Sequence, residues 1–254
     1  MNLKGEIALI LLLSIIFANL NAVYAVQSTI AIQPSIADTY ANSFDVIIHR
    51  APGHGEDLGI FVGNCYFAHE KLYGSARSFV RFNLTDIPSD AEVVKAFLKL
   101  YMYSAPISPQ IYEAYRITSE WSEHWLNWTV QPTYAPYPTN YTTVNPTPST
   151  GWISWDITED VKAWHSGRSP KYGTMLKINF ERNASDEVAA FYPREIRYTD
   201  LRPKLEVTLE SEVPIPELQA FMLPAVMALT LTLTMFSIRR RRKNLTTLPS
   251  PQNR

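Results

Sequence analysis

The chain has 254 residues, a net charge of −1 and a sequence pI near 6.5, which exclude a generally basic nucleic-acid binder. Its single cysteine, Cys65, excludes a framework of intramolecular disulfides. Residues 26–217 hold 16 Lys and Arg against 23 Asp and Glu, so affinity for an anion there must come from a local cluster of cations.

The N-terminus carries an apolar run, residues 7–18, that is too short to span a bilayer. Small residues ending at Ala25 follow it at the positions that a signal peptidase reads. The pattern predicts a signal peptide, residues 1–25, cleaved after Ala25. An uncleaved anchor is the alternative, because Lys4 is offset by Glu6 ahead of the run.

Residues 26–209 are predicted to form one exported, mostly β domain, because short alternating runs recur with turn residues between them. This spacing predicts an antiparallel β-sandwich or jelly roll. One short helix is expected within 157–167, where Asp156 or Thr158 can cap the first turn and Gly167 ends the last. The expected strands are 45–50, 58–63, 77–84, 96–103, 111–118, 151–157, 173–179, 188–192 and 204–209.

The clearest alternation lies in residues 77–103, where two arms flank a turn. One face of each arm is apolar and is expected to point into the core; these residues are Val80, Phe82, Leu84, Ala96, Leu98, Leu100 and Met102. The opposite faces carry aromatic rings and cations, namely Phe79, Arg81, Phe97, Lys99, Tyr101 and Tyr103. If the two arms pair as neighbours, these six side chains form one outward platform.

Two segments interrupt the strand pattern. Residues 121–132 hold three tryptophans, Trp121, Trp125 and Trp128, which either belong to a binding loop or are structural residues beneath it; the large area that a tryptophan buries favours the structural role. Residues 132–150 hold five prolines and three tyrosines, which predicts a long loop that leans toward polyproline II. Trp155 and Trp164 are expected in the core, whereas Trp152, on the opposite strand face, is left open.

The C-terminal part follows a short linker, residues 210–217. Residues 218–238 contain no charge, and 21 residues of helix span about 31 Å, enough to cross a membrane. Five cations follow at once, from Arg239 to Lys243. The positive-inside rule places the basic tail, residues 239–254, in the cytoplasm and the β domain at the cell surface.

Several segments occur in the order of a known family. They are ADTY (37–40), RSFVRFNLTDIPSDAEVVKAFLKLY (77–101), YRITSEWSEHWLNWTVQP (115–132), GWISWDITEDVKAWHSG (151–167), KYGTMLK (171–177), FYPRE (191–195) and RPKLEVTL (202–209). Together they resemble the DNRLRE, or disaggregatase-related, domain family, also called carbohydrate-binding module family 96. The resemblance implies a jelly-roll β-sandwich that binds polysaccharide outside the cell. The sequence departs from the family pattern in residues 49–70 and in the long proline-tyrosine loop.

The segment VPIPELQAF (213–221) precedes the apolar run and the arginines. It is similar to archaeal C-terminal anchor signals that carry an IPEF-like motif, with Leu218 where Phe is usual. The similarity implies a membrane anchor.

The six-residue platform is the predicted carbohydrate site. Aromatic rings stack on sugar rings, and cations pair with the carboxylate of an acidic saccharide such as a uronate polymer. The alternative is that the rings are covered by a loop and the cations pair with nearby carboxylates. No other site residue for sugar is predicted.

A metal site has weaker support. His49, His54, Glu56, Asp57 and His69 match no zinc spacing and favour a solvated loop. A structural calcium ion is compatible with a jelly roll, and the candidate ligands are Asp38 and Asp57. No further cofactor is predicted. Glycosylation sequons lie at Asn83, Asn127, Asn140 and Asn183.

No nucleophile triad, metalloprotease motif or phosphate loop is recognisable, so no catalytic residue is predicted. The sequence favours a membrane-anchored, non-catalytic module whose partners are polysaccharide and the membrane and do not include nucleic acid. One alternative is a polysaccharide hydrolase or lyase, and another is a structural envelope or adhesion protein that binds protein partners. The sequence specifies no oligomeric state.

Overall fold

The computed structural model describes residues 23–43, 54–67, 71–184, 187–214, 224–225, 227–236 and 238–239. Gln27–Ser211 is one compact unit, separate from the two chain ends. Most of the predicted signal peptide, the predicted strand at 45–50 and nearly all of the basic tail lie outside the described residues.

The described residues are mostly β, as predicted. The strands are β1 (Val23–Ile32), β2 (Ala37–Asn42), β3 (Ile60–Phe67), β4 (Leu72–Arg81), β5 (Glu92–Ser104), β6 (Gln110–Arg116), β7 (Asn140–Val144), β8 (Gly151–Asp156), β9 (Thr174–Ile178), β10 (Ala189–Phe191) and β11 (Lys204–Pro214). Helix α1 (Thr158–His165) lies within the predicted helix, and a 3-10 turn follows at Thr199–Leu201. The Asp156 carboxylate accepts the Thr158 N–H at 3.0 Å, and Gly167 takes a φ of 73° beyond the helix end.

The strands form one curled antiparallel sheet with two halves. The β5 half contains β1, β11, β5, β8 and β10; the β4 half contains β2, β4, β9, β6 and β7. Strand β3 joins them, because its first residues pair with β10 and those from Gly63 onward pair with β4. The junction requires glycine: Gly63 has a φ of 127°, and a Cβ there would lie 2.0 Å from the Glu187 carbonyl oxygen.

The main core lies between the halves, and the apolar faces predicted for the two arms point into it. The buried residues Val80 and Leu84 contribute from the first arm, and Leu98 and Leu100 from the second. The predicted core residue Trp155 is buried among them and donates its indole N–H to the Tyr112 carbonyl oxygen at 3.0 Å. This bond ties β8 in one half to β6 in the other, so the burial of the indole also satisfies its polar atom.

A second apolar cluster covers the outward face of the β4 half, and Phe79 is at its centre with no exposed surface. Trp121 covers Phe79 at a ring-centroid distance of 5.9 Å and donates its indole N–H to the Tyr172 carbonyl oxygen at 2.7 Å. The prediction of Phe79 as a platform ring is therefore wrong, because the tryptophan segment folds over this face. The structural interpretation of Trp121 agrees with this packing.

Three described strands were not predicted. β1 and β2 precede the first predicted strand, residues 45–50, and β7 lies in the proline-tyrosine loop. β11 continues to Pro214, through the first five residues predicted as linker. The three unpredicted strands all pair with another strand of the sheet: β1 with β11, β2 with β4 and β7 with β6. The extended β11 likewise pairs with β5. Local alternation is a weak guide to strands that such long-range partners stabilise.

The predicted membrane span, residues 218–238, is described only in part, and residues 227–236 within it are helical. Among the described residues, no helix is both long and apolar enough to cross a membrane. The predicted span and its topology therefore stay predictions.

We predict that Phe79→Ala lowers the free energy of unfolding by about 3–5 kcal/mol, because it opens a cavity under Trp121. Urea denaturation of the protein measures the change. Tyr137→Ala, at a ring that is 80% exposed, is the control and should change stability by about 0.5 kcal/mol or less. An equally small effect at Phe79 would contradict the second core.

Candidate functional site

The six-residue platform expected from the sequence is divided between the two halves of the sheet. β4 pairs with β2, β3 and β9, whereas β5 pairs with β8, β10 and β11. The two arms are therefore not neighbours in the sheet, and the condition on which the platform depended is not met. The connection between β4 and β5, residues 82–91, carries the chain from one half of the sheet to the other, and its residues Ile87 and Ala91 are buried.

Arg81 stays with Phe79 on the β4 half. Its guanidinium lies 5.2 Å from the centre of the Trp121 ring, in cation–π geometry. Arg77, on the same strand, likewise lies 4.6 Å from the Trp128 ring centre and forms two 2.6 Å hydrogen bonds with Glu181. Arg77 and Arg81 thus hold the tryptophan segment, residues 121–132, against β4.

Four of the six predicted residues share the outward face of β5: Phe97, Lys99, Tyr101 and Tyr103. Their cross-strand neighbours add two side chains that sequence reasoning did not select for binding, Trp152 on β8 and Lys204 on β11. Tyr192, directly after β10, adds a third, since its N–H donates to the Tyr101 carbonyl oxygen at 3.0 Å.

Four of these rings form a continuous series, here called the aromatic row: Trp152, Tyr101, Tyr192 and Tyr103. The Trp152 and Tyr101 centroids are 5.5 Å apart and edge to face. Tyr101 and Tyr192 are stacked at 5.9 Å, and Tyr192 and Tyr103 at 4.8 Å. All four rings are half-buried, so the row is supported by the sheet and still reaches solvent.

The end of the row at Tyr103 is packed most closely. A Cβ at Gly59 would lie 2.5 Å from the Tyr103 hydroxyl oxygen, so this hydroxyl rests against a position that only glycine leaves open. Burial and the neighbouring Tyr192 raise the pKa of Tyr103. The hydroxyl therefore keeps its proton at neutral pH and can donate a hydrogen bond.

Two lysines and one carboxylate border the other end of the row. Glu206 forms ion pairs with Lys99 and, at 3.0 Å, with Lys204. The Lys204 ammonium also lies 4.3 Å from the centre of the Trp152 ring. Although burial opposes its ionisation, the hydrogen bonds from the lysines lower the pKa of Glu206, so this border carries two cations and one anion.

The signals for Trp152, Lys204 and Glu206 were present in the sequence as the polar faces of alternating strands. Ser154 and Asp156 follow Trp152 on the outward face of β8. Alternation within one strand does not identify the neighbouring strand. The order of the strands in the sheet shows that β8 and β11 lie on either side of β5.

The two predicted calcium ligands belong to different hydrogen-bond networks. Asp57 accepts hydrogen bonds from Tyr40 at 3.0 Å and lies 2.7 Å from the Nδ1 atom of His54. Asp38 is buried, accepts from Ser35, and accepts the Arg194 N–H at 3.2 Å. The described residues contain no group of three or more His, Cys, Asp or Glu side chains suited to a metal ion. A calcium ion stays a prediction.

Arg194 holds the Asp38 network together. Its guanidinium pairs with Glu123 and, at 2.6 Å, with Glu195, while its backbone N–H reaches Asp38. Burial raises the pKa of Asp38 to about 7; the negative charge of Glu195 adds to the rise, while the hydrogen bonds from Ser35 and Arg194 oppose it.

The remaining predicted positions are distributed over the surface. Of the four sequons, Asn83 and Asn183 are exposed, whereas Asn127 and Asn140 are half-buried. The Asn127 side-chain oxygen also accepts the N–H groups of Thr129 at 2.9 Å and Val130 at 3.0 Å, in a local turn. Modification at all four positions stays a prediction.

The comparisons with known proteins agree with this geometry at the level of family. Residues 54–209 match the model of carbohydrate-binding module family 96, a range that includes β3 to β10 and most of β11, and with them the whole aromatic row. No curated protein matches the chain.

We predict that the free energy of unfolding of the wild type falls, relative to that of Asp38→Asn, between pH 4 and pH 7. The folded-state pKa of Asp38 is about 7, above the ordinary value of 3.8, so the folded protein retains a proton that the unfolded chain has lost. The difference should approach about 1.4 kcal/mol per pH unit in this window and level off on either side.

Urea denaturation across the pH range measures this difference, with the exposed Asp90→Asn as the matched control for loss of one carboxylate. A wild type and an Asp38→Asn variant with parallel pH profiles would show that Asp38 ionises normally in the folded protein.

Proposed function

Since this chain belongs to carbohydrate-binding module family 96, we propose that it binds polysaccharide through the aromatic row. The observation that carries the proposal is the row itself, in which four half-buried rings follow one another from β8 across β5 to the end of β10. Successive centroids are at most 5.9 Å apart, so the rings offer an extended ligand several contacts in line.

The chemistry of the row suits a sugar chain. The apolar face of a pyranose packs on an aromatic ring, and the ring loses little conformational entropy on binding. The hydroxyls of Tyr101, Tyr192 and Tyr103 can donate to and accept from sugar hydroxyls. Mutual stacking fixes the orientation of the tyrosine rings before a ligand arrives, which reduces the entropic cost of binding.

The border of the row favours an acidic polysaccharide. Lys99 and Lys204 lie across from each other, one step nearer to Tyr101 and Trp152 than the carboxylates of Glu206 and Asp156, so a sugar carboxylate entering beside Trp152 meets the lysines first. The domain as a whole carries more acidic than basic residues and repels a polyanion at long range. The local lysines must therefore supply the attraction, and only within about one Debye length.

A non-catalytic role is part of the proposal. A glycoside hydrolase needs a carboxylic acid that holds a proton at its working pH. The lowered pKa of Glu206 keeps the carboxylate at the row ionised, and Asp156, on the same face, accepts hydrogen bonds from the N–H and the hydroxyl of Thr158. A lyase and an adhesion protein remain the rivals, and turnover or protein capture by the purified protein would favour them.

The setting of the module follows from the sequence. We propose a jelly-roll-type module of the DNRLRE kind that is exported and held at the cell surface by an apolar C-terminal segment. The uncharged run at 218–238 and the arginines after it support this placement. Display of many copies on one membrane would strengthen weak individual contacts with a long polymer.

We predict that the double variant Tyr101→Ala, Trp152→Ala loses at least about tenfold in affinity for polysaccharide, because two stacking contacts are removed. Calorimetry against alginate, polygalacturonate and xylan, with and without a calcium chelator, measures the loss. Tyr137→Ala removes an exposed ring outside the row and is the matched control. Unchanged affinity in the double variant, with unchanged melting temperature, would place any sugar site elsewhere.

The preference for acidic sugars has its own test. Glu206→Gln should raise the affinity for polygalacturonate or alginate up to about fivefold, because a surface ion pair contributes up to about 1 kcal/mol and its loss frees both lysines. The gain should vanish in high salt and be absent for neutral xylan.

Glu210→Gln, on the same strand, controls for the loss of one negative charge. An equal gain in Glu210→Gln, or an equal gain for xylan, would contradict a specific role of the lysine pair.

A further inference from the structure

A small hollow lies where the free edges of the two halves of the sheet approach each other. The Thr142 hydroxyl on β7 donates to the Ser154 carbonyl oxygen on β8 at 2.6 Å, and this hydrogen bond connects the edge strands of the two halves. Farther along, residues 145–150 connect the two strands and leave a hollow of about 130 Å³.

The lining of this hollow has two kinds of residue. The inner part is apolar and is formed by the buried Met102 and Val144 and the half-buried Ile153. The exposed part is polar: Asn145 has an amide, and Thr143, Thr147 and Thr150 have hydroxyls. Amide and hydroxyl groups both donate and accept hydrogen bonds, so the lining can match a ligand with neighbouring hydroxyls around an apolar ring.

The hollow is continuous with the aromatic row. Trp152 lines it and is also the ring that begins the row, in contact with Tyr101. The loop reaches β8 through Gly151, whose φ of 145° suits glycine, and the next residue is Trp152. A ligand on the row therefore meets the hollow at its Trp152 end.

The size of the hollow limits its occupant. Pockets that enclose drug-sized ligands measure about 300–1,000 Å³, so about 130 Å³ holds roughly one sugar ring and not a chain segment. A chain that places one ring there has β7, the loop and β8 around that ring.

We propose that this hollow binds the terminal sugar residue of a polysaccharide chain that lies along the aromatic row. A terminal residue carries one free hydroxyl at the position where the next linkage would be, and Asn145 and Thr147 are placed to recognise it. The inference rests on the proposed function, and it means that the module binds the ends of polysaccharide chains as well as their interior segments.

The test compares one polysaccharide as long polymer and as short oligosaccharides, with concentrations expressed per sugar residue. The probes are alginate, polygalacturonate and xylan, each intact and enzymatically shortened. The double variant Asn145→Ala, Thr147→Ala should lose about tenfold in affinity for the oligosaccharides, which are rich in ends. It should lose about twofold or less for the polymer, which binds mainly through the row.

Ser149→Ala is the matched control, since Ser149 is exposed in the same loop and does not line the hollow. The variant that lacks Tyr101 and Trp152 should lose both kinds of probe. Because the altered loop side chains are exposed, folding is expected to be retained, and the melting temperature verifies this.

The failures can be distinguished. If the row variant loses binding and the loop variant behaves as wild type with both probes, the chain-end proposal is wrong and the proposed function stands. Equal losses for polymer and oligosaccharides in the loop variant would also overturn recognition of ends. If the wild type binds none of the probes, both proposals fail.

Discussion

The structure depends on the burial of one side of β5. Ala96, Leu98, Leu100 and Met102 have essentially no exposed surface, and strands on both edges of β5 cover the hydrogen-bonding groups of its backbone. Because side chains alternate along a strand, fixing these residues inward fixes their neighbours outward. A slip of one residue would bury Lys99 and expose the core, so the register is strongly specified.

The aromatic row is a consequence of this register. Tyr101 and Tyr103 point outward because Leu100 and Met102 point inward, and β8 places Trp152 beside Tyr101 for the same reason. The rings are held by a rigid sheet and not by a loop, which suits recognition of an extended and stiff ligand. The two halves of the sheet use their outward faces differently: the β4 half covers its rings with the tryptophan segment, and the β5 half leaves them accessible.

The sequence predicted those features of the structure that depend on the pattern of neighbouring residues along the chain. Alternation identified the inward residues of both arms, the outward position of Tyr101 and Tyr103, and the helix that contains Trp164. It could not identify which strands are neighbours, because pairing joins residues far apart in the chain. Phe79 is an example. Its position in the alternation predicts an outward ring, but Trp121, which is far away in the sequence, covers it.

The residues of the aromatic row and its border that sequence reasoning missed have the same explanation. Tyr192 directly follows β10, which at three residues is too short to show an alternation, and Lys204 begins a predicted strand whose neighbours the sequence does not identify. Each gains its role only through the residue across from it. The calcium ligands were chosen by residue type, and Asp38 instead shares its surroundings with Arg194 and two other carboxylates.

Gly63 shows how little room the fold leaves at the point where β3 passes from one half to the other. The hydrogen atom that takes the place of a side chain there lets the Glu187 carbonyl approach and lets both halves share a single interior. A side chain at this crossing would collide with the backbone just before β10, whereas the rings and charges of the outer surface are free of this steric limit.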